Sequence, residues 1–230
     1  SGCALGRESM RKVRRLGYAA LVLTLFAAHA RGEAASTVQL TPGLPSVTVL
    51  HQGKPVVIAR HPDADNMIEP DYALTSRPCP PFCIQPMTLA PGVETLGELE
   101  LIGYLQKIGK DASILVIDSR DGTWPQRSGI IPGAIVLPWQ KLHPEHASAQ
   151  DIAELLQFHF GAVRQEGLWH FPSAKTLVFY CNGPWCGQSP TNIKQLLALG
   201  YPPHKLKWYR GGIQAWKALG LTTVPYKPLP

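Results

Sequence analysis

The chain has 230 residues, 45% of them hydrophobic and 17% charged, with a formal net charge of +6; this balance fits a packed globular fold and excludes a disordered chain. No apolar run reaches the roughly 18 residues that a membrane-spanning helix needs, which excludes a polytopic membrane protein. Residues 1–30 carry most of the net positive charge, with Arg7, Arg11, Lys12, Arg14 and Arg15 against the single acid Glu8, so the basicity belongs to a leader and is no signal of nucleic-acid binding.

Residues 1–9 read as cloning or upstream-frame residues ahead of Met10, and Cys3 goes with them. Residues 10–30 have a basic start, an apolar stretch from Leu16 to Ala28 and small residues at the exit. They predict a secretory signal peptide cleaved after Ala30 to Ala35, hence a bacterial periplasmic protein with no membrane attachment after cleavage. The remaining cysteines, Cys79, Cys83, Cys181 and Cys186, would then lie where disulfides form and persist. Residues 36–92 make an N-terminal arm. Val47–Leu50 and Pro55–Ala59 around the Gln52-Gly53 turn predict a small hairpin. From His61 to Gly92 the chain is rich in Pro, Asp and Asn and has no period, which predicts a long loop.

Residues 93–226 read as one α/β domain. Leu99, Ile102 and Leu105 at helical spacing predict a helix over 98–107. Ile114–Ile117 is a continuous apolar run, as in a strand buried on both faces, and Ala134–Leu137 is a second, shorter strand. Ser148 with Asp151 three residues on predicts a capped helix carrying Ile152, Leu155, Leu156 and Phe158 to about Phe160. Thr176–Tyr180 is a further strand. A helix capped by Ser189, with Pro190 at its first position, runs to the stop at Gly200. Lys207–Tyr209 and a helix over 213–219, ended by Gly220, close the domain. Strands alternating with helices predict a central, mostly parallel sheet flanked by helices.

Tyr180 delivers Cys181 to the carboxyl end of a central strand, where α/β folds place their ligands. The Asn182–Gly187 loop has two glycines, so backbone can curl around the sulfur, and a helix N-terminus follows. Converging N–H groups and the positive helix end favour a thiolate, which makes Cys181 a candidate nucleophile. Cys186 lies close enough in a curled loop for the two sulfurs to meet. The pair could cycle as dithiol and disulfide, with Cys186 resolving a covalent adduct on Cys181, or form a permanent bridge. Cys79 and Cys83, separated by Pro-Pro-Phe, read most simply as a local disulfide. A zinc site built from all four thiolates is disfavoured by their spacing. His143 and His146, three apart around Pro144 and Glu145, read as a solvated loop, and no metal is expected.

These residues resemble the rhodanese, or sulfurtransferase, family from about Glu94 to Pro225. The likeness rests on Ile117-Asp118-Ser119-Arg120, Ile131–Pro138, Val178–Cys181, Leu199-Gly200-Tyr201, and Tyr209-Arg210-Gly211-Gly212 with Trp216. The resemblance implies a rhodanese-like α/β fold and a persulfide cycle on Cys181, fed by a small sulfur-containing anion or persulfide donor and discharged to a thiol or cyanide. It implies no organic cofactor. With the leader and the cysteine pair, it points to an exported subgroup, some of whose members accompany periplasmic redox proteins. The loop departs from the family pattern: Asn182–Ser189 has no cation, Cys186 stands where a basic residue is expected, and Pro184 removes one N–H. Asn182, Gly183, Trp185 and Gly187 are expected to line the substrate site, with positive charge from Arg210 ahead of Arg120, which in this motif more often holds structure through an ion pair. The other readings are a non-catalytic module that docks a redox or assembly partner through its arm, and a thiol–disulfide oxidoreductase using Cys181 and Cys186.

Overall fold

The computed structural model describes residues 38–227, so the predicted leader, its expected cleavage after Ala30 to Ala35, and Cys3 lie outside the described residues. The described chain opens with an antiparallel hairpin of β1 (Ser46–His51) and β2 (Lys54–Ala59). Gln52 and Gly53 both have positive φ, 50° and 76°, the turn geometry whose twist matches the flanking strands. The arm then runs irregularly to residue 93, interrupted by the short α1 (Pro70–Ala73).

Next in order come β3 (Glu94–Leu96), α2 (Glu98–Leu105), β4 (Ile114–Asp118), α3 (Trp124–Ser128) and β5 (Ile135–Val136). A short 3-10 turn, Trp139–Leu142, leads to α4 (Ala149–Glu154). The second half holds β6 (Val163–Gln165), β7 (Leu168–His170), β8 (Thr176–Tyr180), α5 (Gln188–Ala198), β9 (Leu206–Tyr209) and α6 (Gly212–Ala218). Five strands form one parallel sheet in the order β3-β9-β8-β4-β5, with β8 at its centre. Alternate residues serve the two faces. Val116, Val178, Tyr180 and Tyr209 pack with the first hairpin, α2 and α6. Ile117, Leu177, Phe179 and Trp208 pack with α4 and α5 on the other side. Apolar runs without alternation are therefore the pattern this sheet requires.

The Ser148 helix has its capping box, Ser148 Oγ accepting the Asp151 N–H at 3.1 Å. It is α-helical only to Glu154, however, and widens into a π turn over Leu155–His159. The wider turn brings Leu156 and Phe160 into the core and leaves Phe158, one of the apolar residues the predicted helix carries, 75% exposed. The β6–β7 hairpin is not among the elements the sequence predicts: its strands are short and mostly exposed, so they carry no hydrophobic alternation.

At the end of β4, Asp118 and Arg120 form an ion pair at 2.6 Å, with both side chains fully buried. Arg120 Nε also donates to Asp118 Oδ1 at 2.9 Å, Nη1 to Ser128 Oγ at 2.7 Å and Tyr72 Oη at 3.1 Å, and Nη2 to the Gly129 carbonyl at 2.7 Å. One guanidinium thus ties β4, α3 and the arm together. Removing one partner of a buried pair strands the other charge. Arg120→Ala and Asp118→Asn are each expected to lower unfolding free energy by about 3–5 kcal/mol in denaturant titrations. Arg120→Lys should recover little of that loss, because an ammonium cannot reproduce the fork.

Candidate active site

Strand β8 delivers Cys181 into the 181–187 loop, which closes on itself through the Cys186 N–H donating to the Gly183 carbonyl at 2.9 Å. Helix α5 begins at Gln188, capped by Gly187 without a side-chain bond, and not from Ser189 as the sequence predicts. The reason is that Ser189 is engaged elsewhere. Its side chain is fully buried, its hydroxyl donates to Ser119 Oγ at 3.0 Å, and its backbone N–H is turned to the Cys181 sulfur. Pro190 is tolerated at the third helical position because first-turn N–H groups have no partner inside the helix.

The start of α6 grips the loop from the other side. The Ile213 N–H donates to the Cys181 carbonyl at 3.0 Å and the Gln214 N–H to the Asn182 carbonyl at 2.8 Å. Gly212 sits at φ 58°, and a Cβ there would lie 2.4 Å from the Cys181 carbonyl oxygen. Only glycine meets both conditions.

Cys181 and Cys186 are both free and buried, 2% and 4% exposed; they form no bridge. Cys181 Sγ lies 3.4 Å from the Cys186 carbonyl oxygen. Burial opposes ionisation of Cys181, but hydrogen bonds from the Cys186 thiol, from Ser189 and from the Asn182 N–H outweigh it and hold this thiol below its ordinary range. Cys186 moves the other way: burial pushes it well up, and its bond to Cys181 and that neighbour's charge add to the rise. The two sulfurs are therefore unequal, with ionisation made easier at Cys181 and harder at Cys186. The side-chain carbonyl oxygen of Gln188 lies 3.8 Å from Cys186 Sγ, and its amide donates to Asp121 Oδ1 at 2.6 Å.

The arm covers this loop. The Gln85 N–H donates to the Pro184 carbonyl at 2.8 Å, and Tyr72 Oη donates to Asn182 Oδ1 at 3.0 Å. Gln214 accepts from Trp185 Nε1 at 2.8 Å and donates to the Tyr72 carbonyl at 2.9 Å. Phe82 meets the Trp185 ring edge-on at 5.5 Å. Cys79 and Cys83 are joined by a disulfide beside Phe82. The cavities of about 510 and 410 Å³ lie elsewhere, at the base of the arm and beside the first hairpin.

The arginines sort clearly. Arg120, expected as a substrate-site cation, has no exposed surface and directs its side-chain N–H groups into the core. That placement corrects its assignment to the substrate site. Arg210 donates twice to the Gln85 carbonyl, at 2.8 and 3.2 Å, and so anchors the arm. The cation set against the loop is Arg77, which sequence reasoning missed. Its guanidinium lies 4.0 Å over the Trp185 ring, and its Nε is buried with no hydrogen-bond partner. Nothing local in Ser76-Arg77-Pro78 signals this, because the contact is made across more than a hundred residues.

The family described as "Rhodanese-like domain" matches residues 102–219, just over half of the chain. No curated protein matches it. Among solved structures, the chain is similar to a Rhodopseudomonas palustris protein of unknown function, titled a possible tyrosine phosphatase, at 24% identity and a TM-score of 0.40, covering 59% of this chain and 88% of that one. A Bacillus halodurans protein gives 22% and 0.35, covering 55% and 72%. A full-length Lactobacillus plantarum protein gives 18% and 0.34, covering 54% and 85%.

In gently reduced protein, iodoacetamide labelling of Cys181 should rise with pH about a midpoint below the ordinary thiol range. Cys186→Ala should raise that midpoint, because it removes a donor that stabilises the thiolate. Arg210→Ala should speed labelling without moving the midpoint, since it loosens the cover and leaves the bonds to the sulfur in place. Peptide mapping of the labelled protein measures all three.

Proposed function

From the premise that this chain belongs to the rhodanese-like domain family, we propose that it is a sulfurtransferase acting in the periplasm, with Cys181 as its nucleophile and sulfur carrier. The observation that carries this reading is the placement of Cys181 at the carboxyl end of the central strand, with N–H groups of Asn182 and Ser189 on its sulfur and its thiol held low. In the first step the Cys181 thiolate attacks the outer sulfur of an anionic sulfane donor. A Cys–S–S⁻ persulfide forms, the donor's sulfur–sulfur bond breaks, and with thiosulfate the leaving group is sulfite. A thiolate or cyanide then attacks the outer persulfide sulfur and Cys181 is regenerated.

The donor's charge would be met by Arg77 and by the loop N–H groups, which supply what the loop's own side chains lack. Cys186 would serve as resolving thiol: its sulfur attacks Cys181 Sγ, its proton passes to the displaced outer sulfur, which leaves as hydrosulfide, and the resulting Cys181–Cys186 disulfide is reduced by external thiols. The basic and apolar leader supports export, and the Cys79–Cys83 disulfide is in keeping with an oxidising compartment. One observation favours a second reading. With the arm in place Cys181 is almost wholly covered, as suits a non-catalytic module whose arm docks a redox or assembly partner.

Intact mass after incubation with thiosulfate tests the proposal. The wild type should gain one sulfur and Cys181→Ser none. Cys186→Ser should keep its added sulfur longer than the wild type, and Arg77→Ala should load several-fold more slowly. If no form gains sulfur, including Arg210→Ala with its loosened arm, the sulfurtransferase reading fails and the docking module stands.

A further inference from the structure

The turn after Trp139–Leu142 gathers three metal-ligating side chains. His143, Glu145 and His146 each present one donor atom, and these atoms lie within 4.8 Å of one another. As sequence, two histidines three apart describe a solvated loop. The backbone gives them a fixed relation. The N–H groups of His146 and Ala147 both donate to the His143 carbonyl at 2.9 Å, and Pro144 restricts φ at the second position of the turn. The Glu145 N–H donates to His143 Nδ1 at 3.3 Å. The imidazole centroids stand 5.3 Å apart, and Trp139 packs perpendicular to both, at 5.4 and 5.0 Å. Trp139 is itself pinned, its Nε1 donating to Asp121 Oδ2 at 3.1 Å. A short, closed turn against an anchored indole thus holds both imidazoles and the carboxylate on one exposed side.

We propose that His143, Glu145 and His146 form an open, three-ligand site for a divalent transition ion of the zinc, nickel and copper group. Two imidazole nitrogens and one carboxylate oxygen are the donor set that borderline ions prefer, whereas calcium and magnesium ask for oxygen alone. Bonds of about 2.0–2.1 Å put tetrahedral ligand atoms roughly 3.3 Å apart, so modest side-chain rotations close the site around an ion. Three protein ligands leave a position for water or for a donor from another molecule. The site is separate from the sulfur chemistry and does not rest on it.

The test uses the full chain carrying Cys181→Ser and Cys186→Ser, which removes the competing thiols, with Zn²⁺ titrated by calorimetry and checked by equilibrium dialysis. One Zn²⁺ per chain is expected at micromolar concentration. His143→Ala or His146→Ala should weaken binding by at least the roughly 10–100-fold that accompanies loss of a supporting residue at a metal site, with the unfolding midpoint unchanged because the turn is exposed. Ni²⁺, which does not oxidise thiols, should quench tryptophan fluorescence, and Trp139→Phe should abolish that quench while still binding Zn²⁺. Absence of stoichiometric binding, binding that is unchanged in both histidine variants, or a quench that survives Trp139→Phe would each overturn the assignment.

Discussion

A guanidinium sealed from water against an equally sealed carboxylate sets the terms for this molecule. Taking both charges out of solvent is costly, and the pair is sustained only because Arg120 also meets Ser128, Gly129 and Tyr72 while Asp118 accepts from the Arg120 backbone N–H at 3.1 Å. Burial works against the charge on Arg120, yet the Asp118 carboxylate raises its affinity for the proton beyond the ordinary arginine value. The pair acts at a distance through Tyr72. That phenol touches Arg120 at one end of its contacts and Asn182 at the other. The position of the cysteine loop is therefore referred back to a fixed point in the core.

The loop held in this way gives its two sulfurs different chemistry. Both sulfurs are buried and both meet backbone N–H groups, but Cys181 also receives the Cys186 thiol and bonds from Ser189, while Cys186 bears the charge of its neighbour. Identical side chains are thus shifted in opposite directions by the hydrogen bond they share and by the extra donors on one of them. The arm completes the arrangement by excluding water, which strengthens each of these interactions.

The sheet was legible in the sequence because its strands are buried on both faces and so read as unbroken apolar runs, as at Ile114–Ile117 and Thr176–Tyr180. Cys181 was legible for a related reason: a cysteine directly after such a run lies at a strand's carboxyl end. The arm's role was not. Tyr72, Arg77, Phe82 and Gln85 sit in aperiodic, Pro-rich sequence, and their partners lie about a hundred residues or more away. Periodicity reports which face of an element is buried, and the arm has almost no elements. Arg120 was read two ways, as a structural ion pair and as a substrate-site cation, and the buried pair with Asp118 decides for the first. Ser189 misled as a cap because a residue suited to that role can be drawn to a better partner, here Ser119.

The arm's long reach has a consequence for the order in which the molecule can assemble. Arg60 bonds the Leu219 carbonyl, Glu69 pairs with Lys217 and Gln85 accepts from Arg210, so the segment that emerges early from a ribosome finds its seat only when α6 exists. Such distant contacts form late because the entropy of closing the intervening chain must be overcome before any of them forms. Until then Cys79, Cys83, Cys181 and Cys186 share an unsealed chain. Pairing within each short loop is favoured over pairing across the 98 residues from Cys83 to Cys181 by about 2–3 kcal/mol of closure entropy. Sequence proximity thereby keeps the arm's cysteines paired with each other and away from Cys181 through synthesis, and the arm covers the loop once the chain is whole.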